Sequence, residues 1–237
     1  MKSIVFTIIV LGLLTNNALA CTHPKIGGSS DWYPFAYFDR QQNQVKGAAY
    51  KFAAQLAKHM KWQPIYPDRY TPWSRSVKQL KSGELDIIVG IYNTQQRRAF
   101  MAFSKPYIHI TTNIYVKKGN TFKFEKIDDL VGKLGGKVLG GAAGGGIDDH
   151  PLILRFIEVH TREQLFNMLI RERIDYIPFT DMEAEPLIKS LGLRDKIDKL
   201  PTPLAKTPVT IAVSKKSDCL EYLPQINLFI DKHTNKP

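Results

Sequence analysis

The most informative stretch of the chain is Leu80-Lys81-Ser82-Gly83-Glu84-Leu85-Asp86-Ile87-Ile88-Val89-Gly90. Ser82-Gly83 is a helix-ending signal, because glycine readily adopts the left-handed conformation that closes helices. Residues 85–90 follow as an apolar run bounded by turn signals, which is typical of a parallel strand buried on both faces. A helix that passes directly into such a strand indicates an α/β fold.

The residues before this stretch complete one α/β unit. Lys25-Ile26-Gly27 reads as a short strand, and apolar residues recur at helical spacing between Gly47 and Met60. A second helix is expected after Pro72, with Val77 and Leu80 facing inward. Strand, helix, helix and strand in this order predict the first lobe.

The residues after it repeat the pattern. Leu80–Asp86 is echoed by Leu169–Asp175, each a helix end and a turn before an Asp that opens a strand. The other predicted elements are a β-rich run at Thr112–Val116, a Gly-rich strand and loop at Gly132–Gly146, a helix at Gln164–Ile170, a strand at Ile174–Ile177, a helix at Ala184–Leu191 and a strand at Val209–Val213. Two α/β units with a pair of connecting segments predict a hinged, two-lobe fold.

Residues 1–20 are predicted to be a cleavable export signal. Lys2 supplies a positive start, residues 4–14 form an apolar run too short to span a bilayer, and Ala18-Leu19-Ala20 has the small-x-small pattern of a cleavage site. A membrane anchor or a lipid on Cys21 is the alternative, although a lipoprotein site usually has Leu where this chain has Ala18. We expect a soluble periplasmic protein that begins at Cys21.

Length and charge exclude some function classes. About 217 residues (237 minus 20) follow the signal, which suits one large domain or two small lobes. The formal net charge is +11, or +10 without Lys2. The basic residues are scattered among acidic ones, without a basic helix or an RNP-like motif, so we expect no nucleic-acid partner. The charge is interpreted as a solvated surface that favours anionic ligands.

The chain has two cysteines, Cys21 and Cys219, one near each end of the exported protein. An even pair in an oxidising compartment suggests a disulfide, and two free thiols are the alternative. A bridge between them would require the two chain ends to lie side by side.

Five ordered motifs resemble bacterial extracellular solute-binding proteins of family 3, the polar amino-acid type of ABC transport receptor. The resemblance covers nearly all of the exported chain, and its order and spacing make it specific. It rests on Ile26-Gly27 with Trp32-Tyr33-Pro34-Phe35, the helix-to-strand signature at Leu80–Gly90, the T-x-x-R of Thr94-Gln95-Gln96-Arg97, the F-S-x-P-Y of Phe103–Tyr107 and the L-x-G-K of Leu130–Lys133.

The resemblance implies a periplasmic binding protein-like fold of type II, with two α/β lobes joined by a two-segment hinge. The first lobe would comprise residues 21–109 and 207–237, and the second residues 110–206. Both cysteines would then lie in the first lobe, which supports the disulfide.

The resemblance also implies an anion-binding arginine. The family residue that matches Arg97 binds a ligand α-carboxylate, and a guanidinium offers two parallel N–H donors to two carboxylate oxygens. Trp32, Trp73 and Tyr92 match family positions that line the cleft, where aromatic faces would enclose an apolar or planar part of the ligand. Core packing is the alternative for each of the three.

Further candidates are less specific. Arg75, in the P-W-x-R of residues 72–75, could be a second anion contact or a surface arginine, and Thr94 could bind a carboxylate or cap the following helix. Gly141 and Ala142 belong to a glycine loop whose backbone N–H groups could form an anion nest that closes over the ligand, or a merely flexible loop. Asp181 is the acidic residue next to the position where amino-acid receptors hold an α-ammonium.

The chain departs from the family at several ligand positions. Thr180 stands where that ammonium-binding Asp is usual, and Ser29 stands where an early Asp is usual. Hydroxyl residues of the closing loop are replaced by Gly141, Ala142 and Ala143. The chain also stops about a dozen residues early, so the family's last helix is expected to be missing. These changes weaken the assignment of an amino acid more than that of a solute-binding protein.

The predicted function is capture of a small polar solute, anionic or zwitterionic, in the interlobe cleft for delivery to an ABC transporter permease. We expect a monomer, and we expect no cofactor or metal. The sequence shows no Ser-His-Asp, Cys-His or metal-spaced His/Cys set, which argues against catalysis. One alternative is a ligand-sensing protein for a membrane receptor. Another is a cyclohexadienyl-dehydratase-like enzyme on the same fold, with Asp181, Glu183 or Glu185 as its acid or base.

Overall fold

The computed structural model describes residues 21–150 and 155–234. Its strands are β1 Ile26–Gly27, β2 Asp31–Trp32, β3 Ala36–Asp39, β4 Gln44–Lys46, β5 Ile87–Ile91, β6 Met101–Phe103, β7 Ile108–Lys117, β8 Leu134–Val138, β9 Arg155–Val159, β10 Ile177–Thr180, β11 Ile197–Lys199 and β12 Ala205–Ser214. Its α-helices are α1 Ala48–Met60, α2 Trp73–Ser82, α3 Gln95–Arg98, α4 Arg162–Ile170, α5 Asp181–Ser190 and α6 Leu223–Thr234. Short 3₁₀ turns occur at Ile127–Leu130, Ile147–Asp149 and Asp218–Tyr222.

Strand β5 forms the centre of the first lobe and is buried along its whole length. Ile87 and Val89 pack in a hydrophobic cluster with residues of α1 and α6, whereas Ile88 packs with Leu80 of α2 in another. Successive side chains of a strand point to opposite faces, so helices on both faces explain the unbroken apolar run. β1 pairs with β5 in parallel, as the sequence predicts.

The second lobe is built around the far end of β7. Tyr115 packs with residues of α4 and α5 in one cluster, and Ile114 and Val116 pack with Leu130 and Tyr176 in another. β10 and β11 pair antiparallel with β7. β8 and β9 form a separate parallel pair.

Two long strands connect the lobes. Residues 205–209 of β12 pair with residues 108–112 of β7, and residues 210–213 of β12 pair with β5 of the first lobe. Residues 112–115 of β7 pair with β10 of the second lobe. Each strand therefore belongs to both lobes, and the predicted two-lobe α/β fold with a two-segment connection is confirmed.

One element prediction is wrong. The strand predicted at Ile174–Ile177 begins at Ile177 and continues to Thr180. Helix α6, which was not predicted, buries Ile226, Phe229 and Ile230 against α1 and the first-lobe core. The expected absence of the family's last helix stays a prediction. The remaining predicted helices and strands are found within a few residues of their expected bounds.

Cys21 and Cys219 form a disulfide with a Cα–Cα distance of 4.9 Å, which confirms the predicted pairing. The bridge joins the start of the described chain to the turn before α6. The predicted export signal, residues 1–20, lies outside the described residues. Within the described ranges, the helices are all too short or too polar to cross a lipid bilayer.

Candidate functional site

A cavity lies between the lobes, at the carboxyl ends of β5, β8 and β10. Ligands of open α/β folds bind at such strand ends, because loops and helix N-termini converge there. The residues that line the cavity are Ser29, Trp32, Trp73, Gly90, Ile91, Tyr92, Arg97, Thr112, Lys137, Val138, Gly141, Ala142, Ala143, Arg162, Leu165, Pro178, Phe179, Thr180 and Glu183.

Arg97 is buried in the wall of this cavity, with 6% of its surface exposed. Its Nη1 donates to the Tyr92 carbonyl at 2.8 Å and its Nη2 to the Gly140 carbonyl at 3.0 Å. A guanidinium has five N–H donors, so three remain for a ligand. Burial lowers the pKa of Arg97 to about 10, with Asp148 and Asp149 opposing the shift, and the side chain stays charged at neutral pH.

The Gly140 carbonyl joins the two lobes. It accepts hydrogen bonds from Arg97 and, at 2.8 Å, from the indole Nε1 of Trp73. The Trp73 ring also lies 5.6 Å from the Arg97 guanidinium. Both donors belong to the first lobe and the acceptor to the second, so this contact stabilises the closed arrangement of the cleft.

Two further hydrogen bonds close the same edge. The backbone N–H of Gln95 donates to the Asp149 carboxylate at 3.0 Å, and the N–H of Gly145 donates to Thr207 Oγ1 at 2.9 Å. The first bond links the start of α3 in the first lobe with the 3₁₀ turn Ile147–Asp149 of the second, and the other links the connecting strand β12 with the glycine loop. The structure is therefore a closed form.

An ion pair occupies the opposite side of the cavity. Arg162, at the start of α4, donates through Nε to Glu183 Oε1 at 2.9 Å. Thr180 Oγ1 donates to Glu183 Oε2 at 2.9 Å. Burial raises the pKa of Glu183, and the Arg162 charge and the Thr180 hydroxyl oppose the shift.

Aromatic rings form the apolar walls. Trp32 packs edge-on against Phe35 and Tyr92, with ring centroids 4.7 Å and 5.6 Å away. Its indole Nε1 is buried and lacks a hydrogen bond of normal geometry, although it lies near enough to Glu183 to lower that group's pKa. Phe179 lines the cavity from the second lobe. These walls would receive an apolar portion of a ligand.

The glycine loop forms an anion nest, but the chain's own Asp148 fills it. The N–H groups of Ala143 and Gly144 donate to the two Asp148 carboxylate oxygens at 3.1 Å and 2.9 Å. The N–H of Gly141 is bonded to the Val138 carbonyl. Gly141 and Ala142 line the cavity, while the nest itself holds the loop in shape.

Three candidate residues lie outside the cavity. Thr94 Oγ1 accepts from the backbone N–H of Arg97 at 3.4 Å and caps α3, and Arg75 is exposed on α2. Asp181 accepts from Asn113 at 2.6 Å and Tyr115 at 2.5 Å, bonds that hold its pKa below the usual value although burial raises it. The structure thus brings together Arg97, Trp32, Trp73, Tyr92, Gly141 and Ala142, and separates the other three.

Sequence reasoning missed Arg162, Lys137 and Thr112 as cavity residues, and considered Glu183 only as a candidate acid. A signal was available for Arg162, because Thr161 and Gln164 form a capping box that places it in the first turn of a helix after a strand. No local pattern identifies Thr112, which reaches the cavity from the connecting strand β7. Across residues 21–150 and 155–234 there is no group of three or more His, Cys, Asp or Glu side chains that could hold a metal ion.

Comparison with known proteins agrees with this geometry. The model of the family "Bacterial extracellular solute-binding proteins, family 3" matches residues 25–236. The chain belongs to this family. The match covers both lobes and both connecting strands, as the resemblance in the sequence implied.

The curated relatives of this family-3 protein are binding proteins of amino acids. The probable amino-acid-binding protein YxeM of Bacillus subtilis is 31% identical over 116 residues, 48% of this chain and 42% of that protein. The L-cystine-binding protein TcyJ of Escherichia coli is 31% identical over 114 residues, 48% of this chain and 42% of that protein. Each match spans less than half the length of the relative.

Solved structures share its fold. An ancestral arginine-binding protein bound to arginine has a TM-score of 0.68 at 22% identity, over 89% of this chain and 92% of that chain. Holo ArgBP from T. maritima gives 0.69 at 21% identity, over 91% and 92%. A putative ABC-transporter binding component from Wolinella succinogenes, complexed with lysine, gives 0.68 at 22% identity, over 90% and 91%.

Proposed function

We propose that this family-3 protein captures a small carboxylate-bearing solute in the interlobe cavity and delivers it to an ABC transporter. The observation that carries the proposal is Arg97, a buried and charged guanidinium with three unused N–H donors in a cavity between two lobes. The bond to the Tyr92 carbonyl lies within the first lobe, so it orients the side chain before a ligand arrives. A preorganised donor of this kind loses little entropy on binding.

Closure of the lobes would signal the bound state. Gly140 accepts from Trp73 and Arg97 across the cleft, so the same arginine contributes to the ligand site and to the closed form. A ligand shifts an opening equilibrium only by contacting the closed state better. Arg97 satisfies this condition, because a ligand carboxylate would hold it in the position that reaches Gly140.

Binding is proposed in preference to catalysis. Glu183 is the carboxylate that lines the cavity in the described part of the chain, and Arg162 and Thr180 already occupy its two oxygens. Asp181 lies outside the cavity, bonded to Asn113 and Tyr115. Both carboxylates are engaged by other side chains, which favours a binding role over that of a general acid or base.

The proposed function also includes a location in the periplasm and a permease partner. An export signal at residues 1–20 would place a monomeric protein in the periplasm, and the closed form would dock on the permease. Lobe boundaries near residues 109 and 207 are proposed as well, and the pairing of β7 with β12 supports them. Neighbouring permease and ATPase genes would favour transport over sensing.

Solute binding is tested by thermal-shift screening of the purified protein against amino acids, organic acids and polyamines, followed by calorimetry with each hit. We expect an anionic or zwitterionic ligand, and Arg97→Gln should weaken its binding at least ~100-fold, since two charge-assisted hydrogen bonds are lost.

Arg98→Gln is the matched control. Arg98 is the adjacent residue, is exposed, and donates to Asn93 instead of facing the cavity. It removes the same charge from the same short helix, so its affinity should match the wild type. If both variants lose the same affinity, or if Arg97→Gln loses none, then Arg97 does not bind the ligand carboxylate and the proposal is wrong.

A further inference from the structure

The charges around the cavity restrict the ligand class, provided that the proposed function holds. Four charged side chains line the cavity: Arg97, Lys137, Arg162 and Glu183. An enclosed site is most favourable when the charges of the protein and the ligand cancel, because an uncompensated charge there is poorly solvated. The partners of these four groups therefore indicate the charge that the ligand must bring.

Three of the four groups are already compensated by the chain. Lys137 lies 3.6 Å from the Asp148 carboxylate and 3.5 Å from that of Glu158. Arg162 and Glu183 form the ion pair described above, and Arg162 also lies 3.9 Å from Asp31. Each of the three groups therefore has at least one oppositely charged partner among the described residues.

Arg97 is the exception. Its hydrogen bonds go to two neutral carbonyls, and Asp148 and Asp149 act on it through space without forming a salt bridge within the described residues. The cavity therefore has one positive charge that lacks a direct partner. A single carboxylate would neutralise it.

An ammonium group finds no such partner. Glu183 is only 10% exposed, and its oxygens accept from Arg162 and Thr180 while the Trp32 indole N–H lies close by. The residues outside the described ranges contain no Asp or Glu that could take its place. A zwitterion would bring its positive charge into a cavity that already contains Arg97.

A neutral polar group is better suited to the same space. Thr112 Oγ1 is buried in the cavity wall without a hydrogen bond of normal geometry, although it lies near enough to the Tyr92 hydroxyl to lower that group's pKa, and a hydroxyl can donate or accept. Leu165, Pro178 and Phe179 provide an apolar surface for a hydrocarbon or aromatic side chain. We propose that the ligand is a small monocarboxylate with an apolar side chain that carries a hydroxyl or carbonyl group, and no ammonium, beside its carboxylate.

Matched pairs of compounds test this proposal. L-Phenylalanine is compared with 3-phenyllactate, L-leucine with 2-hydroxy-4-methylpentanoate and L-alanine with lactate, each titrated into the wild-type protein by calorimetry. The members of a pair share a side chain and a carboxylate and differ in ammonium against hydroxyl. For the side chain that fits, the hydroxy acid should bind at least ~10-fold more tightly, because the ammonium would be desolvated without a charged partner.

Equal or tighter binding of the amino acid would overturn the inference. So would a best ligand that is cationic or uncharged. If that ligand is an amino acid whose binding Arg97→Gln abolishes, solute capture stands and only the ligand class falls. If no solute in the screen binds at all, the proposed function falls instead.

Glu183→Gln provides a second readout that does not depend on absolute affinity. If Glu183 serves only Arg162 and Thr180, the substitution weakens the binding of neither member of a pair, because the carboxylate of each then meets an Arg162 that has lost its partner. If Glu183 turns to a ligand ammonium, the amino acid alone loses affinity, which would overturn the inference. If this variant fails to fold, the ratio of hydroxy-acid affinity to amino-acid affinity in the wild-type protein still tests the inference.

Discussion

Arg97 and Glu183 are both buried at the interlobe cavity, and their partners give them different roles. Arg97 is held by the backbone carbonyls of Tyr92 and Gly140, which leaves its charge available. Glu183 is held by Arg162 and Thr180, which consume its charge. Hydrogen bonds to neutral groups orient a buried ion, whereas an ion pair also neutralises it.

A pH-dependent prediction follows for Glu183. Burial raises its pKa in the folded state, so the folded protein binds this proton more tightly than the unfolded chain does. Its contribution to stability is therefore full below the unfolded pKa, near the ordinary value of 4.5, and is lost as pH rises through the folded pKa. We expect the free energy of unfolding of the wild type, relative to Glu183→Gln, to fall as pH rises above the unfolded pKa.

Urea denaturation of both proteins at a series of pH values measures this difference. Subtracting the free energy of unfolding of Glu183→Gln from that of the wild type at each pH removes the contribution of the other titrating groups, which the two proteins share. A difference that rises with pH would mean that attraction to Arg162 outweighs burial, which would reverse the direction of the shift.

At the scale of elements, the N-termini of α4 and α5 bring Arg162 and Glu183 together. Thr180 caps α5 by accepting from the backbone N–H of Glu183, and Thr161 caps α4 by accepting from that of Gln164. Both helices follow strands directly, so their first turns point at the cavity. The caps therefore fix two cavity residues as well as two helix starts.

Thr161→Ala should lower the free energy of unfolding by about 1 kcal/mol. The capping box has two halves, and the Gln164 amide that bonds to the Thr161 N–H remains in the variant. Thr161→Ser keeps the hydroxyl and should remain within ~0.5 kcal/mol of the wild type, as expected for a preserved cap. Chemical denaturation of the three proteins gives these values, and an equal loss in both variants would show that the Thr161 methyl group, not the hydroxyl, matters.

Secondary structure could be predicted where local patterns are strong. Ser82-Gly83 ends α2 as expected, with Gly83 in the left-handed conformation. The strand around Ile177 was placed three residues early; β10 continues through Pro178, and because it pairs on one side only, with β7, it tolerates a proline as an edge strand does. Helix α6 was overlooked although Ile226, Phe229 and Ile230 have helical spacing.

The cavity could be predicted only in part. Arg97 and the aromatic residues were identified because the family motifs mark them locally. Lys137 and Thr112 come from β8 and β7, and their approach to Arg97 depends on how the lobes meet. The filling of the glycine nest by Asp148 likewise depends on the path of the loop, which glycines alone do not determine.

At the scale of the whole molecule, the disulfide closes the chain across 198 residues. On the loop-entropy argument a loop of this length contributes about 5 kcal/mol, and strain reduces the measured value. The double variant Cys21→Ser/Cys219→Ser should therefore unfold about 3–5 kcal/mol more easily in chemical denaturation.

Ligand affinity is the control for this variant, since neither cysteine lines the cavity. A loss of affinity without a loss of stability would indicate that the bridge acts on the cleft. A stability close to that of the wild type would mean that the unfolded chain gains little freedom when the bridge is removed.

The pairing of Thr112 with Ala205 has a consequence for engineering. Opposed residues of an antiparallel pair lie only about 5 Å apart, so the segment between them begins and ends at one place on the connecting strands. Exchange of residues 113–204 between relatives would therefore require only two splice points. Recombination at those points would combine the ligand-binding arginine of one receptor's first lobe with the second-lobe cavity residues of another.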